Sequence, residues 1–205
     1  MHFSKSNRRS SIRKIEQVQV REDGSFRLAI VSDTHSAPHI RSTEIITGLR
    51  PDAILHAGDI GDLQVLDQLA AICPVYAVCG NIDQRLPSLP DELVLEIVSK
   101  EEIILRILML HVGLYGPKLR TEVIRKAKEE AAELVVCGHS HVPFIGSGHG
   151  YTVFNPGSMG PRRYGLPIVF GMLELNAGNF RLSHVDCETG LPWIPPRIKA
   201  DTVPE

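Results

Sequence analysis

Nowhere in this 205-residue chain does an apolar run approach the ~18–20 residues a membrane-spanning helix needs. The first 25 residues also lack the apolar core of a secretory signal. Charge of one sign is missing too. Lys and Arg number 22 against 24 Asp and Glu, a formal net charge of −2, which argues against a dominant nucleic-acid footprint. Cysteine is sparse: Cys73, Cys79, Cys137 and Cys187 show neither CxxC spacing nor a disulfide framework, and two of them end apolar runs. Reduced, packed thiols in a cytoplasmic protein are the expectation. There is no internal repeat and no low-complexity linker, so one domain is expected at this length.

What is present is a series of short apolar runs ending in polar residues. The runs 26-FRLAIVSD-33, 53-AILHAGD-59 and 75-VYAVCGN-81 alternate with helical patterns near 41–49 and 62–72, the second with Asp62 placed as an N-cap. That order predicts parallel strands joined by crossover helices. Beyond Pro90, residues 93–99 and 103–111 read as an antiparallel hairpin, followed by a helix from about 117 to 132. Strands are then expected over 134–141, 151–158, 167–175 and 179–186, with turn chemistry at Gly178-Asn179. The expected boundaries are a basic extension over 1–25, an α/β domain over 26–186 and a Pro-rich tail over 187–205. Residues 1–14 carry five basic and no acidic residues; a solvated extension is the simplest reading.

The ends of the runs collect donor side chains. Asp33 and His35 lie in SDTH, Asp59 in HAGD, Asn81 in CGN, His111 in MLH, and His139 with His141 in GHSH. Residues two apart on an extended segment face the same way, so His139 and His141 project together. In open α/β sheets the loops beyond the carboxyl ends of strands form the usual site crevice. Five successive strand ends delivering Asp, His or Asn are hard to assign to chance.

This ordered set, Asp33-x-His35, Gly58-Asp59, Gly80-Asn81, His111 and Gly138-His139-x-His141, resembles the calcineurin-like metallophosphoesterases. The stretch 155-NPGSMGPR-162 resembles the small YfcE-type phosphodiesterase branch. The resemblance implies a four-layer α/β/β/α sandwich of two mixed sheets. It further implies two divalent ions, one held by Asp33, His35, Asp59 and His141, the other by Asp59, Asn81, His111 and His139. Manganese is the family's habit; Fe²⁺, Ni²⁺, Zn²⁺ and Mg²⁺ are the alternatives. Two dications bring +4 against −2 from Asp33 and Asp59, so the excess charge would favour a bridging hydroxide and an anionic phosphoryl group. Asp59, Asn81 and His111 are the expected catalytic centre, and a small phosphate ester is the expected substrate.

One position departs from the pattern. Many members carry a histidine after Gly-Asn, thought to protonate the departing alkoxide; here the residue is Ile82. That predicts a preference for diesters or aryl-like esters, whose leaving oxygen needs little protonation. Other candidates have simpler explanations: His56 as a packed histidine, Asp62 as a helix cap, Asp83 as a loop support, Asn155 and Ser158 as turn residues. Arg162 and Arg163 are candidates to grip a phosphate, whereas His39, His149 and His184 match no position of the pattern. The same fold also serves as a protein-binding scaffold in the Vps29 type, the rival expectation here. Neither a membrane nor a nucleic acid is expected as partner, but a homo-oligomer could form if the 93–110 hairpin offers an open edge.

Overall fold

The strand β2 (Phe26–Val31) is apolar on both sides because both sides are covered. Phe26, Leu28 and Ile30 enter one buried cluster, while Ala29 and Val31 enter another, as the two-residue period of a strand requires. The computed structural model describes residues 11–194 apart from Pro117, His149 and Ala177. Residues 1–10, the first part of the basic extension, and 195–205, most of the Pro-rich tail, lie outside the described residues.

In chain order, β1 (Arg13–Gln19) precedes β2. The helices α1 (Ser42–Leu49) and α2 (Gln64–Ala70) then alternate with β3 (Ala53–His56) and β4 (Val75–Ala77). The hairpin β5 (Glu92–Ser99) and β6 (Glu102–Leu110) follows, then the short pair β7 (Leu114–Tyr115) and β8 (Lys118–Leu119), then α3 (Thr121–Glu129). The remaining strands are β9 (Leu134–Val136), β10 (Phe144–Gly148), β11 (Tyr151–Asn155), β12 (Val169–Asn176), β13 (Asn179–Asp186) and β14 (Pro192–Trp193).

Two six-stranded mixed sheets result, ordered β1-β5-β6-β9-β11-β10 and β14-β13-β12-β2-β3-β4. Leu28, Leu55 and Leu173 of one sheet meet Leu95, Ile107 and Val136 of the other in the central core. On the outer face of the second sheet, Ala29, Val31 and Ile54 pack with Ile46 of α1 and with Val65 and Leu69 of α2. On the outer face of the first, Val94, Leu108 and Val135 pack with Val123 and Ala127 of α3. These contacts make the four-layer α/β/β/α sandwich. β2, β3 and β4 run parallel in one sheet, and β6, β9 and β11 run parallel in the other. Their carboxyl ends carry every candidate ligand.

The edges differ from expectation. The 93–110 hairpin is internal, because β1 pairs in parallel with β5 from Arg13↔Glu92 to Gln19↔Val98 and β9 covers β6. An open edge there, the ground for expecting a second copy, is therefore absent. The sheet also begins at Arg13 rather than Phe26. β1 escaped a reading by apolar runs because it alternates exposed and half-buried positions. Only Val18, with Val20 just beyond it, packs against the core, while Gln17 donates to Glu96 at 2.8 Å and Arg106 donates to the same carboxylate at 3.0 Å. At the other end, Cys187 is fully buried and β14 pairs with β13, so the domain runs past residue 186. The third helix is shorter than 117–132, since Gly116, at φ +56, turns the chain into β8 first.

Val18→Asp would set a charge on the half-buried face of β1. We expect a loss of ~2 kcal/mol in urea unfolding. An unchanged midpoint would show that the strand adds nothing to the sheet.

Candidate metal centre

The loops that leave β2 and β3 are zipped together by main-chain hydrogen bonds. Asp33 N–H donates to Gly58 O at 2.9 Å, His35 N–H to Asp59 O at 3.0 Å and Ser36 N–H to Ile60 O at 2.8 Å. The loop after β9 joins them: Gly138 N–H donates to His111 O at 3.0 Å, and His139 N–H to Asp33 Oδ2 at 3.0 Å. Close approach demands glycine twice. A Cβ on Gly138 would sit 1.9 Å from Ser32 Oγ, and one on Gly80 would sit 2.0 Å from the Asp59 nitrogen. Asp33, His35, Asp59, His139 and His141 all have φ between +46 and +70, a region non-glycine residues occupy at a cost.

Two groups of donors converge there: Asp33 with His35 and His141, and Asp59 with His111 and His139, the atoms of each group within 4.8 Å of one another. His141 Nε2 lies 3.3 Å from Asp33 Oδ1, and His111 Nε2 lies 3.2 Å from Asp59 Oδ1. Asp59 also faces the other group, its Oδ2 3.8 Å from His35 Nε2. His35 Nε2 and His141 Nε2 are 3.3 Å apart. Asn81 enters through its main chain, which donates to Asp59 Oδ1 at 2.6 Å, and its side chain lines a cavity beside His111.

The donor set fits divalent cations. Asp33 Oδ1 and His111 Nε2 are buried with no hydrogen-bond partner, although each has an oppositely charged or basic group within 3.3 Å. Donor atoms this close suit a cation that can take the place of a shared proton. His111 Nδ1 meets the Ala57 carbonyl at 2.7 Å, and a proton donated there leaves Nε2 as the free donor atom.

Protonation follows from burial and neighbours. Burial pushes Asp33 up to about 6, despite the Ser32 hydroxyl and the His139 amide. Burial works the same way on Asp59, but His111 and the amides of Ile82 and Asn81 outweigh it and hold this carboxyl well below the usual range. Burial lowers His35, His139 and His141, the last to about 4 with help from Arg163 and His35, so these imidazoles are neutral at pH 7. His111 is the exception: burial opposes its charge, yet Asp59, Asp33 and the Ala57 carbonyl together raise it.

The surrounding candidates sort cleanly. Asp83 accepts from Gly61 N–H at 2.9 Å and Gly80 N–H at 2.7 Å, so it ties two ligand loops together. Asp62 is not the N-cap, a position Leu63 takes; it accepts from Gln64 N–H at 2.9 Å in the turn just before α2. His56 is fully buried, with Nε2 3.0 Å from the Thr34 hydroxyl, and burial pushes it down to about 3. Asn155 is more than a turn residue: its amide donates to Gly138 O at 2.8 Å and Ser140 Oγ at 3.0 Å. Ser158 donates to Asp33 O at 2.9 Å. His184, to which no role was given, lies 2.8 Å from Asn155 O and stacks on Phe154. Ser32 was missed; its hydroxyl donates to Asp33 Oδ2 at 2.6 Å. The arginine pair divides. Arg162 binds Glu188 and Leu166 O, whereas Arg163 has no side-chain partner among the described residues and lies close enough to influence His35 and His141.

Comparison with known proteins gives this class a name. The calcineurin-like phosphoesterase superfamily domain matches residues 26–178. A probable metallophosphoesterase of Methanocaldococcus jannaschii is 30% identical over 141 residues, covering 66% of this chain and 69% of the relative. Among solved structures, Vacuolar Protein Sorting 29 of Cryptosporidium parvum superposes with a TM-score of 0.68 at 17% identity, covering 83% of this chain and 95% of that one. The phosphoesterase YfcE of E. coli superposes with a TM-score of 0.54 at 21% identity, covering 81% and 96%. The chain belongs to the calcineurin-like phosphoesterase superfamily. No helix among the described residues is long and apolar enough to cross a membrane.

The Asp33 carboxyl makes metal binding depend on pH. Its folded pKa of about 6 lies above the ordinary 3.8. In the metal-free protein it therefore favours folding at low pH and weakens it as pH rises through about 6. A cation must displace that proton below pH 6. Calorimetric titration with Mn²⁺ should show affinity falling by about tenfold per pH unit below 6. A flat profile from pH 5 to 7.5 would contradict this environment for Asp33.

Proposed function

We propose that this protein is a binuclear-metal phosphoesterase with a preference for phosphodiesters, built on Asp33, His35, Asp59, Asn81, His111, His139 and His141. The observation that carries the reading is the position of Asp59 between the two donor groups, one oxygen toward His111 and the other toward His35. A pair of first-row dications held there, manganese by family habit, would supply Lewis acidity toward a phosphoryl oxygen and acidify water as the nucleophile.

The chain's own residues supply the rest. Asp59 stays ionised through its hydrogen-bonded amides, so it offers both oxygens at neutral pH. The neutral imidazoles of His35, His139 and His141 add donors without adding negative charge, leaving the site attractive to a phosphate anion. Arg163, without a side-chain partner among the described residues while Arg162 is engaged, is the side chain suited to a phosphate oxygen on the Asp33 side. Ile82 stands half exposed next to Asn81, where relatives of the other pattern place an acid. Leaving oxygens must depart without that proton, which favours diesters with acidic alcohols. The scaffold reading rests on likeness of fold alone, and here both donor groups consist of ligand-competent side chains.

Hydrolysis of bis-p-nitrophenyl phosphate with Mn²⁺ tests the reading directly. Asp59→Asn should lower kcat/KM by about 10²–10³-fold. A wild-type protein inactive with every divalent ion would favour the scaffold. The acid argument has its own test. Ile82→His should raise the rate on alkyl monoesters by ~10²-fold and leave aryl diesters nearly unchanged; an equal effect on both would sink it.

A further inference from the structure

Next to the candidate centre lies a cavity of about 230 Å³ whose lining includes Asn81 and His111. Three cations also line it, Arg85, Arg120 and Lys126, with three acids, Asp91, Glu92 and Glu122. Two of the cations are spoken for. Arg85 binds Asp91 at 2.6 Å, and Lys126 binds Glu92 as well as Glu122, the latter at 3.3 Å. Arg120 has neither a hydrogen bond nor an ion pair from its guanidinium among the described residues. Its main chain is held, donating to Gly113 O at 3.0 Å, so the side chain projects from a fixed point at the start of α3.

We propose that this cavity is the subsite for an anionic group on the substrate arm retained by phosphorus, with Arg120 as its partner. The assignment rests on the phosphoesterase reading and deepens it by naming the substrate class: phosphodiesters with a carboxylate or a second phosphate on one arm. Position supports it. The cavity opens at Asn81 and His111 on the Asp59 side, whereas Arg163 serves the Asp33 side. Arg120 is near enough to His139 to weaken its protonated form. A scissile phosphate held between the two donor groups would therefore send one substituent toward Arg120. An arm without charge would leave that guanidinium unpaired, and one with an anion would gain a charge-assisted bond. The six charges lining the cavity sum to zero, but the three acids are engaged by Arg85 and Lys126, which leaves Arg120 as the cation without a direct partner among the described residues.

The test uses p-nitrophenyl phosphodiesters whose second arm ends in a carboxylate after two, three or four carbons, each beside its neutral carboxamide. With Mn²⁺ and the full chain, at least one carboxylate should exceed its carboxamide about tenfold in kcat/KM, mainly through KM. Arg120→Gln should bring that ratio to about one. Arg125→Gln, an exposed change on the same helix that breaks only the pair with Glu129, should leave the ratio intact. A wild-type ratio of one at every arm length, or a ratio untouched in Arg120→Gln, would overturn the subsite while the phosphoesterase reading stands. No hydrolysis of any member with any divalent ion would overturn both.

Discussion

Two carboxylates meet at the joined ends of two sheets, within 4 Å of imidazoles, and the rest of the molecule is arranged around holding them there. Asp33 is fully buried and Asp59 nearly so, a situation that in isolation would neutralise both groups. Asp59 is instead kept charged by amides and His111, while one Asp33 oxygen has no hydrogen-bond donor among the described residues. Five of the donor residues also sit at positive φ, each at a cost of ~1–3 kcal/mol. Such a site persists only where its surroundings over-determine it.

The surroundings do so through loops rather than through the strands themselves. Main-chain bonds between the Asp33 and Asp59 loops continue the sheet beyond its last regular residue. Asp83 ties the Asp59 and Asn81 loops, Asn155 grips the histidine loop, and His184 steadies Asn155 from the far sheet. Donor side chains from both sheets can therefore converge only because the sandwich core keeps the sheets in fixed register. Packing of Leu28, Leu55 and Leu173 on Leu95, Ile107 and Val136 is thus a condition of the chemistry as well as of stability.

Around this rigid floor, the freedom lies in cations. Arg162 and Arg163 are adjacent in sequence, yet one closes a loop with Glu188 and the other is left facing the imidazoles. Arg85, Arg120 and Lys126 line one cavity, but pairing leaves only Arg120 without a direct partner among the described residues. Which cations remain unpaired is a property of the folded arrangement.

Apolar runs ending in Asp, His or Asn were enough to locate the central strands, the order β-α-β-α-β and the six carboxylate and imidazole side chains that the fold brings together, because strands covered on both faces must be apolar throughout and the residues just past them must be polar. The outer strands β1 and β10 were not legible. An edge strand is covered on part of one face, so RKIEQVQ and FIGSG carry no apolar run to betray them. The hairpin that looked like an edge was interior for the same reason: its neighbour left no signal. The amino-acid order by itself determined which side chains could chelate and which strands had to be buried, since those depend on residue type and period. Only the tertiary structure decided which arginine is free, which serine and asparagine hold the loops, and where the sheet ends, because each is settled by a partner far away in the chain.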